Sequence, residues 1–194
     1  MFRHGFKSWC EETALTVRQH QGLAATAPLS PLVLARELKV AVVQPAELKD
    51  LAADVRHRLL GQHSACWSAI TIPGKRRPLI VYNPTHSTAR QNSDLMHELA
   101  HILLGHKPTM VFIDPNTDLA LRSHNRTQEE EANWLSGCLL LPRVVLLHIK
   151  ASHIGDAVGC RQYGVSAEML TYRMNVTGVN LQHRRAHAWQ QRKV

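Results

Sequence analysis

The sequence predicts an α+β fold: a mainly helical domain with a small antiparallel sheet, followed by a C-terminal helix-turn-helix-like helical unit. Apolar residues recur at helical spacing along most of the chain, and the few strand-like runs are grouped instead of alternating with helices. The chain has 194 residues, 44% of them hydrophobic and 20% charged, which suffices for one well-buried domain with a small appendage.

Helical patterns come first along the chain. Residues 5–20 have the helical spacing of an amphipathic helix. Two further segments also have a typical start or stop signal: the run that begins at Ser30-Pro31, and the run from Pro45 to Gly61. Proline in the first turn has a φ angle suited to a helix, and glycine readily ends one.

Strand patterns are short and few. VAVV (40–43) is a strand candidate, and CWSAITI (66–72) and RPLIVYN (77–83) flank a PGKR turn, which predicts an antiparallel hairpin. TMVFID (109–114) predicts a further strand, followed by a DPNTD loop. Within the hairpin, LIVYN (79–83) has the pattern of an edge strand that would pair with an extended peptide.

Helical spacing returns in the last third of the chain. Residues 126–141 predict a helix, after which Pro142 allows a new one to begin. The segment 153–178 predicts two helices around a turn at Tyr163-Gly164-Val165, with Ser166 placed to cap the second helix. This is the spacing of a helix-turn-helix.

The segment SDLMHELAHILLGH (93–106) contains the candidate functional site, an HExxH motif. His97 and His101 are one helical turn apart, so both imidazoles can bind one metal ion from the same face. Neutral nitrogen ligands suit zinc better than calcium or magnesium, which prefer oxygen cages. Ser93 is placed to cap this helix and Gly105 to end it. The alternative is a pair of histidines used for packing or surface hydrogen bonds.

A third histidine in the same segment, His106, does not have the spacing of a ligand. It follows His101 by five residues, beyond Gly105, which is about 140° around an ideal helix from the ligand stripe. It also misses the spacing of the HExxHxxGxxH pattern. We therefore expect a helix-end or surface role for His106.

Glu129, at the start of the next predicted helix, is the better candidate for the third ligand. Asn133, one turn later on the same face, could accept a hydrogen bond from the free ring N–H of a ligand histidine. Glu130 and Glu131 would then point toward solvent. The alternative is an acidic first turn that the helix dipole favours.

These residues resemble the ImmA/IrrE family of metallo-endopeptidases. The resemblance rests on GFKSWCEE near the start, LIVYNP, STARQNSDLMHELAHILLGH and EEEANWLSGCLLLP, and it spans most of residues 5–142. It implies a zincin-like domain that binds one zinc ion (Zn²⁺) through His97, His101 and Glu129, with Asn133 orienting a ligand histidine.

The resemblance also implies a function, that of a zinc-dependent endopeptidase. Three protein ligands leave one metal position open, as in catalytic sites, and Glu98 has the place of the general base. The substrate would be a helix-turn-helix repressor, encoded nearby on a mobile element, whose cleavage relieves repression. No oxyanion stabiliser is evident; the candidate donors, each more typical of packing, are Tyr82, Tyr163 and Tyr172.

The alternative function is a non-catalytic zinc-containing regulatory module that binds DNA or a partner protein. Net charge is +8, and Arg173, Arg184 and Arg185 belong to a basic C-terminal stretch, which attracts nucleic acid. The predicted second helix has few base-reading groups, so DNA is not the favoured partner. An intact Glu98 also favours the enzyme, because a structural zinc site has no use for a base.

The sequence predicts three parts: residues 1–142 as the zinc metallopeptidase domain, 143–180 as the helix-turn-helix-like extension and 181–194 as a flexible basic tail. The first 20 residues alternate charged and apolar side chains, unlike a secretory signal, and no run approaches the roughly 18 apolar residues of a membrane helix. The four cysteines have no CxxC pair. We therefore expect a cytoplasmic protein with reduced thiols and no membrane partner.

Overall fold

The computed structural model describes residues 2–61, 63–74, 76–106, 111–113, 120–122 and 125–191. Its helices are, in chain order, α1 (Phe6–His20), α2 (Pro31–Glu37), α3 (Ala53–Leu60), α4 (Thr88–Leu103), α5 (Arg126–Leu140), α6 (Arg143–Ala151), α7 (Asp156–Tyr163), α8 (Ala167–Val176) and α9 (Val179–Gln191). Its strands are β1 (Ala41–Val43), β2 (Ala69–Ile72), β3 (Leu79–Tyr82), β4 (Val111–Ile113) and β5 (Ala120–Arg122). The predicted α+β class is confirmed.

The first three strands form one small sheet in the order β1-β3-β2. The predicted hairpin is confirmed, since β2 and β3 pair antiparallel with Ala69 opposite Tyr82. Strand β1 adds to the other side of β3 in parallel, which makes the sheet mixed. The prediction that LIVYN is an edge strand is wrong, because β3 uses its backbone groups on both sides. Among the described residues, the edge strands of this sheet are β1 and β2.

A second pair of strands, β4 and β5, is antiparallel with Val111 opposite Arg122. The strand predicted over 109–114 is confirmed at Val111–Ile113. The remaining residues of that prediction, and the loop predicted after it, lie outside the described residues.

Two predicted helix boundaries are corrected. The run from Pro45 to Gly61 is not one helix: a single 3₁₀ turn at Pro45–Glu47 is closed by a capping box, and Leu48 then adopts extended backbone (ψ 102°) before α3 begins. The cap of α4 is Ser87 instead of Ser93, since the Ser87 hydroxyl accepts a hydrogen bond from the backbone of Arg90 and the helix begins at Thr88. Ser93 therefore lies inside the helix.

One hydrophobic core runs through the molecule from the first helix to the last. Helices α4 and α5 pack against each other and α1 packs against α5. The core residues that connect the N-terminal part with the C-terminal helices include Phe6, Cys10, Leu99, Leu135, Leu139, Leu146, Ile149, Leu170, Met174 and Val179. The C-terminal unit therefore shares the core that supports α4 and α5.

The C-terminal unit has the predicted helix-turn-helix spacing. Gly164 ends α7 in the left-handed conformation (φ +60°), and the Ser166 hydroxyl caps α8. Arg173, however, does not face outward: it is 0% exposed, and its Nη2 lies 2.8 Å from Glu11 Oε1. It is therefore unavailable for DNA. The predicted basic tail is helical as far as Gln191, and its last residues, 192–194, lie outside the described residues.

Within the described residues, no single helix has both the length and the hydropathy to cross a membrane. The bent pair formed by α5 and α6, whose axes meet at 41°, satisfies the two criteria only when taken together.

Candidate metal centre

Helix α4 presents the HExxH motif on one face. Leu95, Met96 and Leu99 bury the opposite face in the core, so His97 and His101 are left on the partly open side. Asn125 caps α5 by accepting hydrogen bonds from the backbone of Thr127 and Gln128, which places Glu129 in the first turn of α5. The packing of α5 on α4 then brings that turn against the two histidines.

The three predicted ligands meet at one point. His97 Nε2 lies 3.0 Å from His101 Nε2 and 3.2 Å from Glu129 Oε2. His101 Nε2 lies 3.6 Å from Glu129 Oε1. Ligand atoms that are each about 2.0–2.1 Å from a tetrahedral zinc lie about 3.3 Å from one another. The donor set and its spacing therefore fit a metal ion of the size and chemistry of zinc.

The protonation of His101 also suits a metal ligand. Burial, followed by the neighbouring His97, lowers the pKa of His101 to about 4. Its imidazole is therefore uncharged at neutral pH, and a metal-binding histidine must be neutral to offer its lone pair.

His106 lies against His101 and not at the surface. His106 Nδ1 is 2.9 Å from His101 Nδ1, and His106 Nε2 is 3.2 Å from Glu131 Oε2. The His106 side chain is only 7% exposed. The expected helix-end position of His106 is correct, but the surface role is wrong.

The reason is the way in which α4 ends. Gly105 takes a left-handed conformation (φ +65°), its N–H bonds to Ile102 O, and the His106 N–H bonds back to His101 O over 3.0 Å. This pair of bonds is a Schellman motif, which turns the chain back onto the last helical turn. The angle of about 140° between His106 and the ligand face applies only to a helix that continues past Gly105. Because α4 ends before that residue, His106 packs against His101.

The two glutamates beside Glu129 behave differently from each other. Glu130 faces outward as predicted and pairs with Arg126 over 2.8 Å. Glu131 was expected to face solvent as well, but its side chain is 20% exposed and reaches His106. Helix α5 thus contributes two inward carboxylates, Glu129 and Glu131, to the same histidine cluster.

Asn133 is not brought to the histidines. It lies on α5 as an exposed residue, and the part of the chain that the structure describes contains no hydrogen bond between its side chain and the ring of His97 or His101. Its predicted role in orienting a ligand stays a prediction without support from these contacts. The Nδ1 of His101, which does not face the other candidate ligands, contacts His106 instead.

A cleft of about 600 Å³ opens on the three candidate ligands. Strand β2 and the segment before it line one wall, and α4 lines the other. Glu98 faces this cleft, and its Oε2 accepts a hydrogen bond from the Thr71 hydroxyl over 2.5 Å. Sequence reasoning missed Thr71, because the two residues are 27 positions apart and nothing in either local pattern links them.

The three tyrosines considered as oxyanion donors lie elsewhere. Tyr163 donates a hydrogen bond to Thr26 O, and Tyr82 accepts one from the Gln44 amide. Tyr172 is exposed on α8. Among the described residues that line the cleft there is no tyrosine, so their positions do not support an oxyanion role for any of the three.

Comparison with known protein families identifies one whose profile matches this chain. The family profile of the IrrE N-terminal-like domain, Peptidase_M78, matches residues 46–175, which include all three candidate ligands and Glu98. No curated protein sequence matches the chain.

A solved structure shares the fold. It is that of a Mycobacterium tuberculosis transcriptional regulator, with a TM-score of 0.53 and 17% sequence identity. The similarity covers 89% of this chain and 47% of that one, so this chain spans about half the length of the regulator. At this identity the likeness concerns the fold alone. The profile match extends over more than half of the chain, and the protein therefore belongs to the Peptidase_M78 family, the metallopeptidase family of the IrrE N-terminal-like domain.

Proposed function

We propose that this protein is a zinc-dependent endopeptidase that cleaves a specific helix-turn-helix transcriptional repressor and so relieves repression. The observation that carries the proposal is that Glu98 and the three candidate ligands face one cleft. A structural zinc site has four protein ligands and no cleft, whereas a catalytic one keeps a position open. Membership of a metallopeptidase family supports the same reading.

His97, His101 and Glu129 would hold the zinc ion. When bound, zinc supplies a Lewis acid that polarises the scissile carbonyl and makes water a stronger acid. Glu98 is the general base: it takes the proton of the attacking water and passes it to the leaving amine. Glu98 Oε2 accepts the Thr71 hydrogen bond, which helps to orient the carboxylate.

The substrate would bind as an extended peptide along β2. This strand pairs with β3 on one side, and its residues line the cleft beside Glu98. A free strand edge binds extended chains through backbone hydrogen bonds, while pockets for alternate side chains give specificity. Such binding requires an unfolded or flexible segment, which restricts cleavage to accessible sites in the target.

A repressor is the proposed target because the family resemblance implies one. The alternative, a non-catalytic zinc module, leaves the position of Glu98 in the cleft without a purpose.

The experiment is incubation of the zinc-loaded protein with the helix-turn-helix repressor encoded beside its gene, followed by mass spectrometry of the products. We expect one or a few cleavage sites, and no cleavage with a chelator present or with the Glu98→Gln variant. Unspecific substrates such as casein are a poor test, because strand pairing with a selective cleft permits a narrow specificity. An intact repressor after prolonged incubation would contradict the proposed substrate.

A further inference from the structure

We propose that Glu131 and His106 are positioning residues which together fix the ring orientation and the tautomer of His101 for metal binding. We call these three residues the Glu131–His106–His101 chain. The inference deepens the proposed function and rests on the metal site of His97, His101 and Glu129. Neither His106 nor Glu131 has a predicted role in catalysis or in metal ligation.

The two ring nitrogens of His101 face different partners. Nε2 points at the metal centre, 3.0 Å from His97 Nε2 and 3.6 Å from Glu129 Oε1. Nδ1 points away from it, 2.9 Å from His106 Nδ1. The ring of His101 is therefore held at both ends, and a rotation that improved one contact would break the other.

Proton positions along the chain follow from the hydrogen-bond inventory. A contact of 2.9 Å between two Nδ1 atoms requires one donor and one acceptor. If His101 Nε2 offers its lone pair to a metal, His101 carries its proton on Nδ1 and donates it to His106 Nδ1. His106 must then carry its own proton on Nε2, where Glu131 Oε2 accepts it over 3.2 Å. Every nitrogen in this arrangement has a suitable partner.

The opposite arrangement is unfavourable. It would place the proton of His101 on Nε2, inside the metal centre, and leave His106 Nε2 with a lone pair facing the Glu131 carboxylate. Two acceptors at hydrogen-bond distance repel each other. Glu131 therefore selects the tautomer of His106, and His106 in turn selects the tautomer of His101.

The surroundings hold the chain in place. The side chains of His106 and Glu131 are 7% and 20% exposed, so solvent competes weakly for these hydrogen bonds. The Schellman turn at Gly105 fixes the backbone of His106 to that of His101. Glu130, the neighbour of Glu131, has a 43% exposed side chain and pairs with Arg126, and so provides a matched control.

Zinc affinity is the first readout, measured by competition with a chromogenic chelator. Loss of an outer partner of a ligand histidine typically weakens metal binding about 10- to 100-fold. We expect that loss for both His106→Ala and Glu131→Ala, and a change within about twofold for Glu130→Ala, since exposed ion pairs contribute little. The double variant His106→Ala/Glu131→Ala should bind no more weakly than His106→Ala, because Glu131 acts through His106.

Histidine tautomers are the second readout, from long-range ¹H–¹⁵N spectra of the metal-free protein. We expect the Nδ1–H form of His101 and the Nε2–H form of His106, with mixed forms of both in Glu131→Ala. Glu131→Gln, which preserves side-chain shape, should lie between Glu131→Ala and the parent in zinc affinity. If Glu131 had only a structural role, Glu131→Ala would leave the tautomers of His101 and His106 unchanged.

Unchanged zinc affinity in both single variants, additive losses in the double variant, or the reverse tautomers would each overturn the proposal. If the parent protein binds no zinc, the proposed function fails; the tautomers of the metal-free protein then still decide whether Glu131 and His106 orient His101.

Discussion

The hydroxyl of Thr71 on β2 donates a hydrogen bond of 2.5 Å to Oε2 of Glu98 on α4. This contact joins β2, an edge strand of the sheet, to the helix that carries the HExxH motif. The strand proposed to bind the peptide thus also orients the carboxylate proposed as the base. In the proposed mechanism, one hydrogen bond would therefore link substrate binding to proton transfer.

Thr71→Val removes this hydrogen bond and leaves the shape of the side chain nearly unchanged. A hydrogen bond to a charged group contributes about 1.5–3 kcal/mol, so we expect kcat to fall about tenfold or more. Zinc content, measured by elemental analysis, should not change, because Thr71 is not a ligand. Thr71→Ser keeps the hydroxyl and should retain most of the rate. Equal rates in Thr71→Val and the parent would show that Glu98 needs no such support.

Glu129→Ala removes the only carboxylate among the three candidate ligands. We expect substoichiometric zinc after dialysis, whereas Glu98→Gln should retain zinc and lose proteolysis. Glu130→Ala, which removes an exposed carboxylate one residue away, is the control and should bind zinc normally. Full zinc occupancy in Glu129→Ala would refute the assignment of the third ligand.

Gly105→Ala tests the turn that returns His106 to the metal centre. A Cβ at this position would meet no atom within 4 Å, so the cost arises from the backbone φ of +65°. Non-glycine residues pay about 1–2 kcal/mol there, and we expect the free energy of unfolding to fall by about that amount. Gly105→Asn should cost less, since asparagine tolerates the left-handed region. Urea unfolding would measure the free energy of unfolding of both variants. Equal losses in Gly105→Ala and Gly105→Asn would contradict a cost that arises from the backbone φ.

Acid should destabilise the metal-free protein through His101. The pKa of His101 is about 4 in the folded state and 6.5 in its reference state, so the unfolded chain binds this proton more tightly. Stability therefore decreases as the pH falls from about 6.5 to about 4, by an amount on the order of 3 kcal/mol from this residue. Urea unfolding in the presence of a chelator should show a shallower pH dependence for His101→Gln. The same dependence in both proteins would contradict the burial of an uncharged His101.

Arg173→Ala separates the structural role of this arginine from DNA binding. The side chain is buried and paired with Glu11, and loss of one partner of a buried pair costs about 3 kcal/mol. Arg184→Ala, on the exposed face of α9, should change stability by less than about 0.5 kcal/mol. Thermal unfolding measures both variants, and comparable midpoints would contradict the buried pair.

DNA binding has a direct test in the same proteins. We expect the parent protein not to be retained on DNA at physiological salt, because the side chain of Arg173 is buried and cannot contact a phosphate. Retention that weakens with salt and disappears in the double variant Arg184→Ala/Arg185→Ala would instead support DNA binding.

Local patterns predicted much of the fold correctly. The helices around the site, the β2–β3 hairpin and the cap of α8 by Ser166 follow from signals within a few residues. The parallel addition of β1 to β3 could not be predicted in this way, because the two strands are separated in sequence by α3 and β2. Hence β3 was predicted to be an edge strand, whereas it is the central strand, between β1 and β2.

For the candidate site, the sequence by itself determined that His97 and His101 share a helical face with Glu98 beside them, because the spacing of an α-helix operates within one turn. With the family resemblance it also indicated Glu129. Only the tertiary structure decided that Thr71 reaches Glu98 and that Glu131 reaches His106, across 27 and 25 residues respectively. Those contacts depend on how β2, α4 and α5 pack against one another. The same holds for His106, whose place was decided by one left-handed glycine that turns the chain back onto the helix.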